Sequence, residues 1–124
     1  MLVLDEHTAP LVRRLCELFV PGSGRVWPEV YIDAVLARMP TAQREQTLAA
    51  FGALAEPAAA GAEALAEHVF TPPFMTARAL ACEAFYSDFV APGAPGPGAW
   101  EEIDFAPPLA ARLNKDWSFL GVTE

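Results

Sequence analysis

The side chains that could do chemistry in this 124-residue chain are few and scattered. The histidines, His7 and His68, lie far apart, and neither has a second metal ligand at the local spacing that zinc sites use, so no metal site is expected. Cys16 and Cys82 both fall on apolar helical faces. Neither sits near a histidine, which removes a Cys/His nucleophile. Both read as core thiols, small hydrophobes with a weak S–H donor, rather than as a disulfide. Gly22-Ser23-Gly24 is glycine-rich but too short for a phosphate cradle, and no strand-to-helix unit surrounds it. Glu101, Glu102 and Asp104 could supply general acid and base groups. A solvated helical turn is the plainer account of the two glutamates, while Asp104, between Ile103 and Phe105, is more constrained.

The remaining candidates gather around one stretch, Pro72 to Phe89. At about 100° per residue, Thr76, Glu83 and Ser87 share a narrow stripe. Phe74, Met75, Ala77, Ala79, Leu80, Ala81, Cys82, Phe85, Tyr86 and Phe89 fill the rest of the wheel. Such a helix is expected to be surrounded by its neighbours. Arg78 projects between Phe85 and Phe89, so it is expected to be buried against a carboxylate, Asp88 or Asp104. A structural ion pair is the simpler role for it, and an amphipathic core position is the simpler role for Tyr86. The catalytic alternative places Arg78, Tyr86, Asp88 and Asp104 around one pocket of a small cyclase- or isomerase-type enzyme.

Helices must position these groups. Residues 5–19 carry Leu11, Leu15, Leu18 and Phe19 at helical spacing, with Thr8 as the expected cap and Pro10 in the first turn. Pro21, Gly22 and Gly24 stop this helix. Pro28–Met39 forms a second, on Tyr31, Ile32, Val35, Leu36 and Met39, and Pro40 ends it. Thr41 opens a third, with Leu48, Phe51 and Leu54, which Pro57 is expected to break. An alanine-rich fourth follows over about 58–69. Pro72-Pro73 then suits the first turn of the central helix. No window alternates apolar and polar residues around β-branched side chains. The expected fold is therefore all-α: about five helices around a central apolar helix in residues 1–90, then an extended Pro/Gly-rich tail in residues 91–124. The chain reads as a single domain.

The tail opens with APGAPGPG and continues with Trp100, Ile103, Phe105, Leu109, Leu113, Trp117, Phe119 and Leu120. These residues cannot build a second core alone, so they must dock on the helical body or on a partner. Trp100, Phe105, Trp117, Phe119 and Leu120 alternate with charged residues, the mixture of aromatic anchors and charged rim found at stable interfaces. The formal charge of -8, from 8 basic and 16 acidic residues, argues against nucleic acid and against anionic membrane surfaces. Hydrophobic residues make up 53% and the mean hydropathy is +0.24. Even so, no run approaches the roughly 20 apolar residues of a membrane span. MLVLDEHTAP has no basic n-region followed by an apolar run, so no signal peptide is expected, and a cytoplasmic location follows.

The chain resembles the gluconate 2-dehydrogenase subunit 3 family, small helical accessory subunits of FAD-dependent oxidoreductases of the glucose-methanol-choline type. An early helix ending at Phe19-Val20-Pro21, the Tyr31-Ile32-Asp33 helix and a later helix opening at Phe74 carry the likeness. That later helix closes on Phe85-Tyr86-Ser87-Asp88, and Trp117-x-x-Leu120-Gly121 ends the chain. The likeness touches most of the sequence through short motifs. It implies a chain with no catalytic residues and no cofactor of its own, bound to a larger subunit that carries FAD. The twin-arginine export signal common in the family is absent here. The Pro/Gly tract and the Asp104-Phe105 and Lys115-Asp116-Trp117 motifs are additions. The expectation is a cytoplasmic offshoot serving a biosynthetic oxidoreductase. A homodimer whose tail packs on its twin is the alternative assembly.

Overall fold

A computed structural model describes residues 1–102. Among them the fold is all-α, and no strand is present. The helices are α1 (Thr8–Phe19), α2 (Pro28–Arg38), α3 (Thr41–Ala53), α4 (Ala55–Ala60), α5 (Ala62–Ala66), α6 (Pro72–Tyr86) and α7 (Ala99–Glu102), with a 3-10 turn at Ser23–Val26 between α1 and α2.

The central position expected for the apolar helix holds: α6 packs against α1, α2 and α3. Its buried face consists of Phe74, Ala77, Leu80, Ala81, Ala84 and Phe85. Alanines occupy the middle of that arc, which lets neighbouring helices come close, since interaxial distance follows the size of the side chains at the contact. Val12, Leu15 and Cys16 from α1, Ile32 and Leu36 from α2, and Phe51 and Leu54 from the end of α3 fill the core around it. Each such side chain, once buried, contributes about 1.5–3 kcal/mol relative to exposure.

The helix ends follow from local chemistry that the sequence pattern only partly exposed. Thr8 does not cap α1. Asp5 does, its Oδ1 accepting from the amides of His7 (3.0 Å) and Thr8 (2.7 Å). A carboxylate reaches two of the orphan donors at once and complements the positive end of the helix dipole. Pro40 closes α2 as expected, and Arg44 finishes the job from the next helix. Its Nε donates to the Leu36 carbonyl (2.9 Å), and its Nη2 to those of Ala37 (3.2 Å) and Met39 (3.1 Å). A cation on the last carbonyls of a helix is favourable in both hydrogen bonding and dipole terms.

The single alanine-rich fourth helix is instead two short ones. The chain turns at Leu54, and Pro57 sits inside the first turn of α4, where a missing N–H costs nothing. The break falls at Gly61, whose φ of 122° is closed to other residues. Thr71 caps α6, accepting from the Phe74 amide (3.4 Å) while its hydroxyl donates to the His68 carbonyl (2.7 Å), and Pro72-Pro73 fill the first turn.

The N-terminal segment is fastened by one side chain. Asp33, only 5% exposed, accepts from the amides of Leu2 (2.9 Å), Val3 (2.8 Å) and Leu4 (2.8 Å). This brings Leu4 into the core. Burial raises the Asp33 pKa, but the donors from Leu4, Leu2 and Val3 outweigh it and hold the carboxyl below its ordinary value.

Candidate functional site

The apolar wheel of α6 is wider than the arc its neighbours cover. Met75, Ala79, Cys82 and Tyr86 follow one another at steps of four, three and four, so they form one row along the helix. Met75 and Tyr86 are each 56% exposed, Ala79 is exposed and Cys82 is half-buried. The row is about 16 Å long at 1.5 Å per residue. The expectation that α6 is surrounded is therefore corrected: three helices cover one side, and this row faces outward. Phe70, 92% exposed, stands in the turn that leads into the helix.

Arg78 is corrected for the same reason. It is exposed, not buried, and forms no ion pair with Asp88. Because the row beside it is uncovered, the edge of the buried face falls at Arg78. Its guanidinium lies over the Phe74 ring, 6.0 Å from the centroid, a position from which a long side chain reaches water. Across the row stands Glu83, whose Oε1 accepts from the Tyr31 hydroxyl of α2 (2.9 Å). Burial first, then this bond, raises the Tyr31 pKa.

At the C-terminal end of the row the structure brings Tyr86, Asp88 and Trp100 together. The Tyr86 carbonyl accepts from the Trp100 indole N–H (3.2 Å), and Asp88 Oδ1 accepts from the Trp100 amide (3.1 Å). Asp88 holds a left-handed backbone (φ 65°), which Asp tolerates better than most residues. Its carboxylate thus caps the start of α7. Gly98 makes room for it, since a Cβ there would stand 2.4 Å from Oδ1. Arg78 is not part of this group. It lies eight residues upstream of Tyr86, about 12 Å of helical rise. Of the four-residue catalytic alternative, the described residues bring Tyr86 and Asp88 together at this end, with Arg78 further along the helix. Asp104 lies outside them, as do Phe105, Trp117, Phe119 and Leu120. Glu101 is exposed, in keeping with a solvated turn.

The first part of the tail returns to the helical body. The Ala91 amide donates to the Val26 carbonyl (3.1 Å), the Gly96 amide to the Arg25 carbonyl (3.0 Å), and Arg25 Nε to the Pro97 carbonyl (2.8 Å). A small second cluster of Val20, Val26, Phe85 and Ala99, with Phe19, Cys82 and Trp100 against it, closes the joint. Arg25 also stacks over Phe85 at 5.1 Å. The tail is thus led along the 3-10 turn to the end of the exposed row.

Cys16 and Cys82 are both free thiols. Burial, with the charges of Glu29 and Cys82, pushes the Cys16 thiol up to about 12, which leaves it unreactive. No cluster of three His, Cys, Asp or Glu capable of holding a metal occurs among the described residues. The Gly22-Ser23-Gly24 turn does bind an anion, but an internal one. Glu17 Oε1 accepts from the Gly22 amide (2.8 Å) and Oε2 from the Gly24 amide (2.7 Å).

Sequence reasoning missed a buried ion pair. Glu29 is 2% exposed and pairs with Arg13, whose Nε lies 2.7 Å from Oε1. Arg13 also stacks over Trp27 at 5.7 Å. Trp27 itself has a positive φ of 53° and packs beside Gly93 of the tail. The available signal was Arg13 on the apolar-flanked first helix and the Trp27-Pro28-Glu29 run that opens the second. Among the described residues no helix is long and apolar enough to cross a membrane. In comparisons with family models, curated proteins and solved structures, the chain matches none.

Proposed function

We propose that this chain is a non-catalytic accessory subunit that binds and stabilises a larger FAD-dependent oxidoreductase of the glucose-methanol-choline type. It works in the cytoplasm, in a biosynthetic pathway, and FAD belongs to the partner. The class of partner comes from the family resemblance. The observation that supports a binding role is the exposed row Met75, Ala79, Cys82 and Tyr86, rimmed by Arg78 and Glu83 and ending at Trp100. Large apolar groups aligned on a helix and bordered by charges have the composition of an interface core with its polar rim. The segment that continues from Glu102 adds Phe105, Trp117, Phe119 and Leu120, further anchors for the same partner.

The test compares capture of the flavoprotein with the melting temperature of the isolated chain. Met75→Glu, Tyr86→Lys and Trp117→Ala each lower capture by about tenfold or more, equivalent to about 1.4 kcal/mol or above. The first two hardly change the melting temperature, because both side chains already face solvent. Trp100→Ala differs: it lowers both, since its indole packs on the chain's own body. Undiminished capture by Met75→Glu and Tyr86→Lys would rule out the α6 row as the interface.

A further inference from the structure

The exposed row of α6 has a register as well as a length. Met75, Ala79, Cys82 and Tyr86 are separated by four, three and four residues. That alternation belongs to the two core positions, d and a, of supercoiled helix pairs. In this register Arg78 stands at g and Glu83 at e, the positions that flank the seam on opposite sides. Both are exposed. Five residues separate them, too many for the i,i+3 or i,i+4 pairing that would join them within one helix. Arg78 has no ion pair among the described residues. Glu83 gives Oε1 to the Tyr31 hydroxyl (2.9 Å), and a carboxylate has a second oxygen with which to accept. An apolar seam is thus bordered by a cation on one side and an anion on the other.

We propose that the row fits a second copy of this chain, α6 packing on α6 in parallel about a two-fold axis. Each row residue then meets its own counterpart. Arg78 of each copy meets Glu83 of the other, the g-to-e contact that sets orientation in such pairs. An antiparallel pair would set Arg78 against Arg78 and Glu83 against Glu83, and like charges in contact repel. Ala79 and Cys82, small residues in the middle of the row, let the two helices approach closely. Met75 and Tyr86 close the ends, the one adaptable in shape and the other able to keep its hydroxyl in water. A two-fold contact uses the same patch on both copies, so assembly stops at two. The row is only about 16 Å long, and a standard interface buries about 1,600 Å². The dimer is therefore weak, and a larger partner displaces it. The second copy occupies the row when no larger partner does, whatever that partner is.

The test is sedimentation velocity on the purified full chain, with no flavoprotein or flavin present, from about 1 µM to about 1 mM, the range in which a small interface associates. The mass rises with concentration toward twice the 13.3 kDa of one chain. Arg78→Glu and Glu83→Arg each turn two attractions into two repulsions, and each weakens association by on the order of tenfold. The double variant Arg78→Glu/Glu83→Arg restores it to within about threefold, the coupling that a direct contact requires. Overall charge gives a different pattern. The chain carries -8, so general repulsion alone would make Glu83→Arg associate more tightly. Ala79→Arg, in the middle of the seam, abolishes association. All these side chains face solvent in the single chain, so the variants fold, and their melting temperatures at low concentration match the parent's. One-chain mass at every concentration, which residues 103–124 lying on the row would also produce, overturns the proposal. So do association that the single charge reversals leave unchanged, as in an antiparallel pair, and failure of the double variant to recover. Capture of the flavoprotein is measured separately, so either reading can fail alone.

Discussion

At the residue scale, charge carries most of the specific information, and it is distributed differently from what a helical wheel suggests. Asp33 was visible only as part of the Tyr31-Ile32-Asp33 motif. Its partners are three backbone amides 29 to 31 positions away, which no periodicity reveals. Asp33→Asn places an –NH2 group against these donors. The expected loss is about 1.5–3 kcal/mol, as for hydrogen bonds to a charged acceptor, read as a melting temperature lower by on the order of 10 °C. The sign of the pH effect follows from the depressed folded-state pKa. The contribution is complete above the unfolded carboxyl value near 3.8 and is lost as pH falls through the lower folded value. Acid titration of stability below about pH 4 is therefore shallower in Asp33→Asn than in the parent chain. Arg78 makes the opposite case. Burial would make Arg78→Ala cost several kcal/mol, whereas its exposed position predicts a change within about 0.5 kcal/mol, measured by urea denaturation. The wheel put Arg78 between Phe85 and Phe89, whereas its guanidinium lies over Phe74, and a wheel cannot say where a helix's neighbours stop.

At the element scale, proline and glycine punctuation was the most legible signal. Pro28, Pro40 and Pro72-Pro73 set the boundaries of α2 and α6 as expected. The expected alanine-rich helix divided because alanine carries no pattern that distinguishes one helix from two, and Gly61, with its positive φ, decided the matter. The Pro/Gly tract was legible as extended but not as docked, since its anchors are the backbone carbonyls of Arg25 and Val26 and the Arg25 guanidinium, which no periodicity marks. Gly98 is the tightest point of that joint. Gly98→Ala pushes a methyl group into the space of Asp88 Oδ1, so it breaks the Asp88–Trp100 cap. Hydrogen exchange at the Trp100 backbone amide then accelerates, while core amides of α1 and α6 keep their protection. Unchanged exchange at Trp100 would show that the cap tolerates displacement of Asp88.

At the scale of the whole molecule, one helical core built around α6 organises the described residues. An all-helical body around α6 was legible because apolar residues recur at the helical period through most of the chain. The proposed interaction surface was legible only in part. Sequence reasoning assigned it to the tail, whereas the described residues add the α6 row that begins at Met75 and reaches Trp100. We propose that this surface holds a larger flavoprotein. The most direct measurement is purification of the tagged chain from its native cells under mild conditions, with the flavin absorbance and the mass of the recovered species recorded. The account predicts a yellow complex containing a larger FAD-bearing subunit from the parent chain, and a colourless isolated chain from Tyr86→Lys. A colourless chain recovered alone that turns over a substrate without added protein or flavin would contradict it.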